Sequence, residues 1–132
     1  MTTFHQQAII DAPVGKVYAF LADCNHHEQL MPDSISEWVS TKDTAQFSVQ
    51  KLAKLTLKVA ERAENQYILF EPSEKAPFDV KLRWQVDRVD DQRSKVTLHV
   101  DAELNMMLKM MVSGPLQKLV DHQVHALAGL TW

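Results

Sequence analysis

Two stretches of strict alternation constrain this chain more than anything else in it. Phe78, Val80, Leu82, Trp84 and Val86 occupy every second position, opposed by Asp79, Lys81, Arg83, Gln85 and Asp87. Val96, Leu98, Val100, Ala102 and Leu104 repeat the pattern, opposed by Thr97, His99, Asp101 and Glu103. Successive side chains of a strand point to opposite faces of its sheet, so each stretch presents one apolar and one polar face. Asp90-Asp91-Gln92-Arg93 supplies a polar turn between them, and the two form a long hairpin. Such a sheet can wet one side but must cover the other.

The rest of the chain supplies more strands and the cover. Phe4 to Ile10 reads as an opening strand, after which Asp11-Ala12-Pro13 changes the period. Asp11 is suited to accept from the free N–H groups of a following helix, and Pro13 to its first turn. Val14, Val17, Tyr18 and Leu21 then recur at helical spacing. Asp23 to Asn25 interrupts that helix, and a short second one carries His26 to Leu30 before Met31-Pro32. Strands fit Ile35 to Ser40, Gln46 to Gln50, Lys54 to Val59 and Tyr67 to Glu71, with Asn65-Gln66 as a tight turn. Pro115 suits the first turn of a last helix capped near Ser113 or Gly114. Its apolar stripe is Leu116, Leu119, Val120, Gln123, Leu127 and Leu130, with Lys118, His122 and His125 on the other side.

The order is strand, two short helices, six strands, long helix. This predicts an α+β fold in which a seven-stranded, curved antiparallel sheet wraps a long C-terminal helix, as one domain over residues 1–132. One amphipathic helix cannot fill the concave side of so long a sheet, so a cavity between them is expected.

Charge and cysteine content narrow the function. The net charge is −3, and lysines and arginines alternate with acids, as in Lys81, Arg83, Asp87 and Arg88. No basic stripe points to nucleic acid, whose binding depends on neutralising phosphates. The apolar runs are too short and interrupted to span a bilayer. Cys24 is the only cysteine, so no intrachain disulfide can form. The N-terminal residues lack the regions of a secretory signal, and the expected location is the cytoplasm.

The chain resembles the helix-grip superfamily, the START-like and birch-pollen-allergen-like proteins, in its SRPBCC-type bacterial form. The resemblance is carried by Ile10-Asp11-Ala12-Pro13, by Val17-Tyr18-Ala19-Phe20-Leu21-Ala22-Asp23 and by Leu30-Met31-Pro32 before the second strand. The step from Leu104-Asn105 into Met-rich sequence, then Gly114-Pro115-Leu116, looks like the entry to that superfamily's final helix. The superfamily includes lipid carriers, quinone-binding proteins, hormone receptors, and polyketide cyclases and dehydratases. It implies a cavity for an apolar or aromatic small molecule, but no particular reaction.

Candidate lining residues follow from strand parity and the helical stripe. From the sheet they are Phe78, Val80, Leu82, Trp84, Leu98 and Val100, of which Trp84 and Phe78 are best suited to stack on a flat ring. From the last helix they are Leu116, Leu119, Val120 and Gln123. Tyr18 and Tyr67 offer hydroxyls to a polar ligand head. Met107 and Met110, within Met106-Met107-Leu108-Lys109-Met110-Met111, are assigned a pliable wall or gate, since methionine adapts to varied apolar partners. The plain alternative for all of these is ordinary packing.

No catalytic residue is assigned, because the inward stripes hold only apolar side chains and parity turns Arg83, His99, Asp101 and Glu103 outward. No metal or cofactor is assigned either. His122 and His125 with Asp121, and His26-His27-Glu28, are too sparse for a metal site, although one of the latter three is expected at the cavity mouth. The reading is a monomer or weak homodimer that binds or carries an apolar or aromatic small molecule. A cyclase- or dehydratase-like enzyme is the alternative, using Glu37, Glu71, Tyr18 or a histidine near Asn25 to Glu28. A protein-interaction module using the sheet exterior or Leu127 to Trp132 is the second alternative.

Overall fold

Trp84 lies opposite Leu98, and Leu82 opposite Val100, in the antiparallel hairpin of β6 (Val80–Arg88) and β7 (Ser94–Ala102). In this computed structural model, which describes residues 2–49, 53–73 and 78–132, that hairpin lies one strand in from an edge of the sheet. β1 (Thr2–Ile10) pairs with the free edge of β7, bringing Phe4 opposite Val100. On the other side follow β5 (Tyr67–Pro72), β4 (Ala53–Ala63), β3 (Thr44–Val49) and β2 (Ile35–Ser40). The described residues thus form a seven-stranded sheet of order β1-β7-β6-β5-β4-β3-β2, antiparallel throughout. Between β1 and β2 lie α1 (Val14–Leu21) and a 3₁₀ helix (Cys24–Leu30), and α2 (Met106–Ala128) closes the chain. Gln50, at the end of an expected strand, lies outside the described residues.

The alternating stripes become the core. Val80, Trp84, Val96 and Leu98 are buried on the inner face, while Lys81, Arg83, Gln85 and His99 are exposed on the outer one. Covering this face, α2 buries Val112, Leu116, Leu119, Val120, Val124 and Leu127. Each such side chain contributes about 1.5–3 kcal/mol by leaving water. At the rim, buried Ser94 donates its hydroxyl to the Ala12 carbonyl oxygen at 2.7 Å, tying the start of β7 to the segment entering α1.

Two local expectations are corrected. α2 starts at Met106, well before Pro115, because Asn105 caps it, accepting the Leu108 N–H on its side-chain oxygen at 2.9 Å. Pro115 is the tenth helical residue, and Ser113 lies inside the helix with its Oγ buried and unpartnered among the described residues. Pro115 has no N–H for the carbonyl one turn earlier, a cost the flanking packing offsets. At α1, Asp11 is exposed and makes no cap: Pro13 takes the N-cap position with no side-chain bond. Asp23 caps the following 3₁₀ helix, accepting from the Asn25 N–H at 2.9 Å.

Strand β2 departs from strict alternation. Glu37 has a φ of 56°, in the left-handed region, and the register with β3 shifts between Ser36 and Val39. A regular strand would place Ile35 and Trp38 on opposite faces. The irregularity lets both pack against the core and leaves Val39 62% exposed.

Candidate functional site

The sheet curls around a space that α2 and the 3₁₀ helix close. Val80, Leu82 and Trp84 of β6 and Val100 of β7 form its floor. Phe70, Leu57, Leu55, Phe47, Ala45 and Trp38 carry the wall outward through β5, β4, β3 and β2. α2 contributes Leu116, Leu119, Val120 and Gln123, and the segment around the 3₁₀ helix contributes Cys24, His27 and Met31. The cavity measures about 40 Å³. One water needs about 10–15 Å³ of such space, whereas an apolar cavity of about 150 Å³ accepts benzene. Accommodating a ring here therefore requires wall side chains or α2 to give way.

Aromatic geometry organises the wall. Trp38 stacks on Phe47 with centroids 5.4 Å apart and donates its Nε1–H to Ser40 Oγ at 3.0 Å. His27 meets Phe70 edge-on at 5.7 Å and Trp84 edge-on at 6.0 Å.

Two polar side chains stand in this apolar enclosure. His27 is 5% exposed, and its Nε2 lies 2.8 Å from the Leu21 carbonyl oxygen. A carbonyl only accepts, so Nε2 carries the proton and Nδ1 has none in the neutral ring. Burial drives the His27 pKa down to about 4, outweighing the bond to Leu21, so the imidazole is neutral at physiological pH. Gln123 is 3% exposed, and its carboxamide has no hydrogen-bond partner among the described residues. Burial also pushes the Cys24 thiol up to about 11, which keeps it protonated and a poor nucleophile.

The structure brings Val80, Leu82, Trp84, Val100, Leu116, Leu119, Val120 and Gln123 together on the lining, as their parity and stripe suggested. Phe78 and Leu98 are buried in the core but off the lining. Tyr18 is half-buried on α1, away from the cavity. Tyr67 lies beside Arg83 of the outer face, the guanidinium 4.4 Å from its ring centroid, and neighbouring Glu61 raises its pKa. Met107 and Met110 are 71% and 83% exposed, because Leu108 and Val112 take the inward positions of α2.

Other titratable candidates also lie off the lining. Glu37 is exposed and accepts from Ser48 Oγ, and Glu71 pairs with Lys58 at 3.6 Å. His122 and His125 are exposed, and no group of three metal-ligating side chains occurs among the described residues. Of His26, His27 and Glu28, one of which was expected at the cavity mouth, His27 is the one on the lining, and the fold buries it.

The family model described as "Polyketide cyclase / dehydrase and lipid transport" matches residues 10–128. The chain belongs to that family. No curated protein matches it. Among solved structures, the Zhui aromatase/cyclase from Streptomyces sp. R1128 superposes with a TM-score of 0.79 at 13% identity, over 97% of this chain and 92% of that one. A START superfamily protein from Mycobacterium smegmatis gives 0.76 at 15% identity, over 96% and 94% of the two chains. The di-domain ARO/CYC BexL from the BE-7585A biosynthetic pathway gives 0.72 at 15% identity, over 97% of this chain and 45% of that one. At these identities the likeness is one of fold, and it agrees with the helix-grip, START-like architecture expected from the sequence. Among the described residues no helix is long and apolar enough to cross a membrane.

Proposed function

We propose that this chain is a single ligand-binding domain that holds or carries an apolar or aromatic small molecule between its sheet and α2. The observation that carries the reading is the wall itself: Trp38, Phe47, Phe70 and Trp84 with aliphatic neighbours, and no lysine, arginine or carboxylate among the described lining residues. Affinity would come from apolar burial, at about 25 cal/mol per Å² before the costs of association. The single cysteine is buried and free, which fits a reducing compartment such as the cytoplasm.

A cyclase-like enzyme is the second reading, favoured by His27 as a base inside the cavity and by the fold shared with an aromatase/cyclase. A pKa near 4 makes His27 a weak base, and its Nε2 is committed to a backbone carbonyl instead of an orienting carboxylate. Binding is therefore preferred to catalysis.

Native mass spectrometry of the purified chain, compared with its denatured mass, tests the proposal. A discrete mass lost on denaturation, extracted and found to be an apolar or aromatic compound, supports it. A chain that stays bare after equilibration with a panel of such compounds counts against it.

A further inference from the structure

We propose that the ligand is a neutral molecule carrying a hydroxyl or equivalent uncharged donor, which His27 Nδ1 accepts, with the Gln123 carboxamide as the second polar contact. This rests on the cavity reading above and names the chemistry that the cavity selects.

His27 Nε2 is occupied by the Leu21 carbonyl, so the other ring nitrogen can only accept. That nitrogen has no partner among the described residues, nor is it sealed in: Ser113 Oγ is the fully occluded polar side-chain atom left without one there. The ring borders the cavity. Gln123 presents the complementary case, a residue 97% buried on the cavity wall whose carboxamide can both donate and accept. A polar group without a partner in a largely buried wall is costly, so these two residues, both bordering one apolar space, favour an occupant that pairs with them.

The same wall argues against an anion. A carboxylate in this cavity would meet an electron-rich imidazole nitrogen and find no cation among the described lining residues. Protonating His27 to receive it would work against the burial that keeps the ring neutral. A hydroxyl on an apolar or aromatic frame meets both requirements, since it donates one hydrogen and retains two lone pairs.

Ligand-observed NMR titration of the full chain at pH 7.5 with toluene, phenol and benzoate tests this. Toluene and phenol are nearly the same size and differ in the donor, and benzoate adds the charge. Phenol should bind about tenfold more tightly than benzoate, and both Gln123→Leu and His27→Phe should weaken phenol by about tenfold while changing toluene by less than about twofold. If His27→Phe fails to fold, Gln123→Leu and the benzoate comparison still decide. Equal weakening of toluene and phenol in the variants, or benzoate binding as tightly as phenol, overturns the inference and leaves the apolar cavity standing. If neither toluene nor phenol binds, the cavity reading fails and this inference fails with it.

Discussion

His27 gives its Nε2–H to the carbonyl oxygen of Leu21 at 2.8 Å, so the last turn of α1 fixes both the tautomer and the orientation of the imidazole in the cavity wall. Leu21 is itself fully buried. Losing the donor would leave a buried acceptor unpaired.

Acid sensitivity follows from that placement. In the unfolded chain His27 protonates near pH 6.5, whereas in the folded chain burial lowers its pKa to about 4. Between these values the unfolded state takes up a proton that the folded state refuses, so this contribution falls with pH from about 6.5 to about 4. It is flat above about pH 7.5, and the full loss is about 3 kcal/mol. Urea midpoints at pH 7.5 and 5.0 should differ more for the parent chain than for His27→Phe. Equal pH dependence in the two would contradict the buried neutral ring.

The start of α2 can be located by mutation. Asn105→Ala should cost about 1 kcal/mol by removing the cap on Leu108, and Pro115→Ala should stabilise by about 1 kcal/mol by restoring a helical N–H. A helix beginning at Pro115 would leave Asn105→Ala neutral. Thermal midpoints of the two variants separate these outcomes.

Two serines in buried settings should behave oppositely. Ser94→Ala strands the Ala12 carbonyl and should cost about 1–3 kcal/mol. Ser113→Ala removes an occluded, unpartnered hydroxyl from a helix interior and should stabilise by about 0.5 kcal/mol or more. Denaturant unfolding of each variant reads the sign directly.

Filling the cavity should separate binding from stability. Ala45 is buried and lines the space, so Ala45→Val places two methyl groups where a ligand would sit. Ligand affinity should fall about tenfold or more, while stability changes by less than about 1.5 kcal/mol. Unchanged affinity would mean that the ligand binds elsewhere.

The strands of this fold were legible because alternation leaves one face apolar, and Val80, Leu82, Trp84 and Val100 reached the lining by that rule. The origin of α2 was hidden by chemistry: Met106, Met107, Met110 and Met111 are apolar in sequence yet exposed, so they obscured the Leu108-Val112-Leu116 spacing that continues the stripe. Trp38 was unreadable because Glu37 breaks the parity of β2. His27 carried no periodic signal, since its depth depends on how the 3₁₀ helix folds back under α1 toward Phe70 and Trp84.

The central claim is that a small apolar molecule occupies this cavity, and the three tryptophans report on it. Trp38 and Trp84 line the space, whereas Trp132 packs edge-on against Phe20 outside it, with centroids 5.4 Å apart. The most direct measurement follows the three indole N–H resonances by ¹⁵N–¹H NMR during titration with toluene. The account predicts that the Trp38 and Trp84 signals shift along one common binding curve while Trp132 stays in place. Shifts confined to Trp132, or none at saturating toluene, would contradict it.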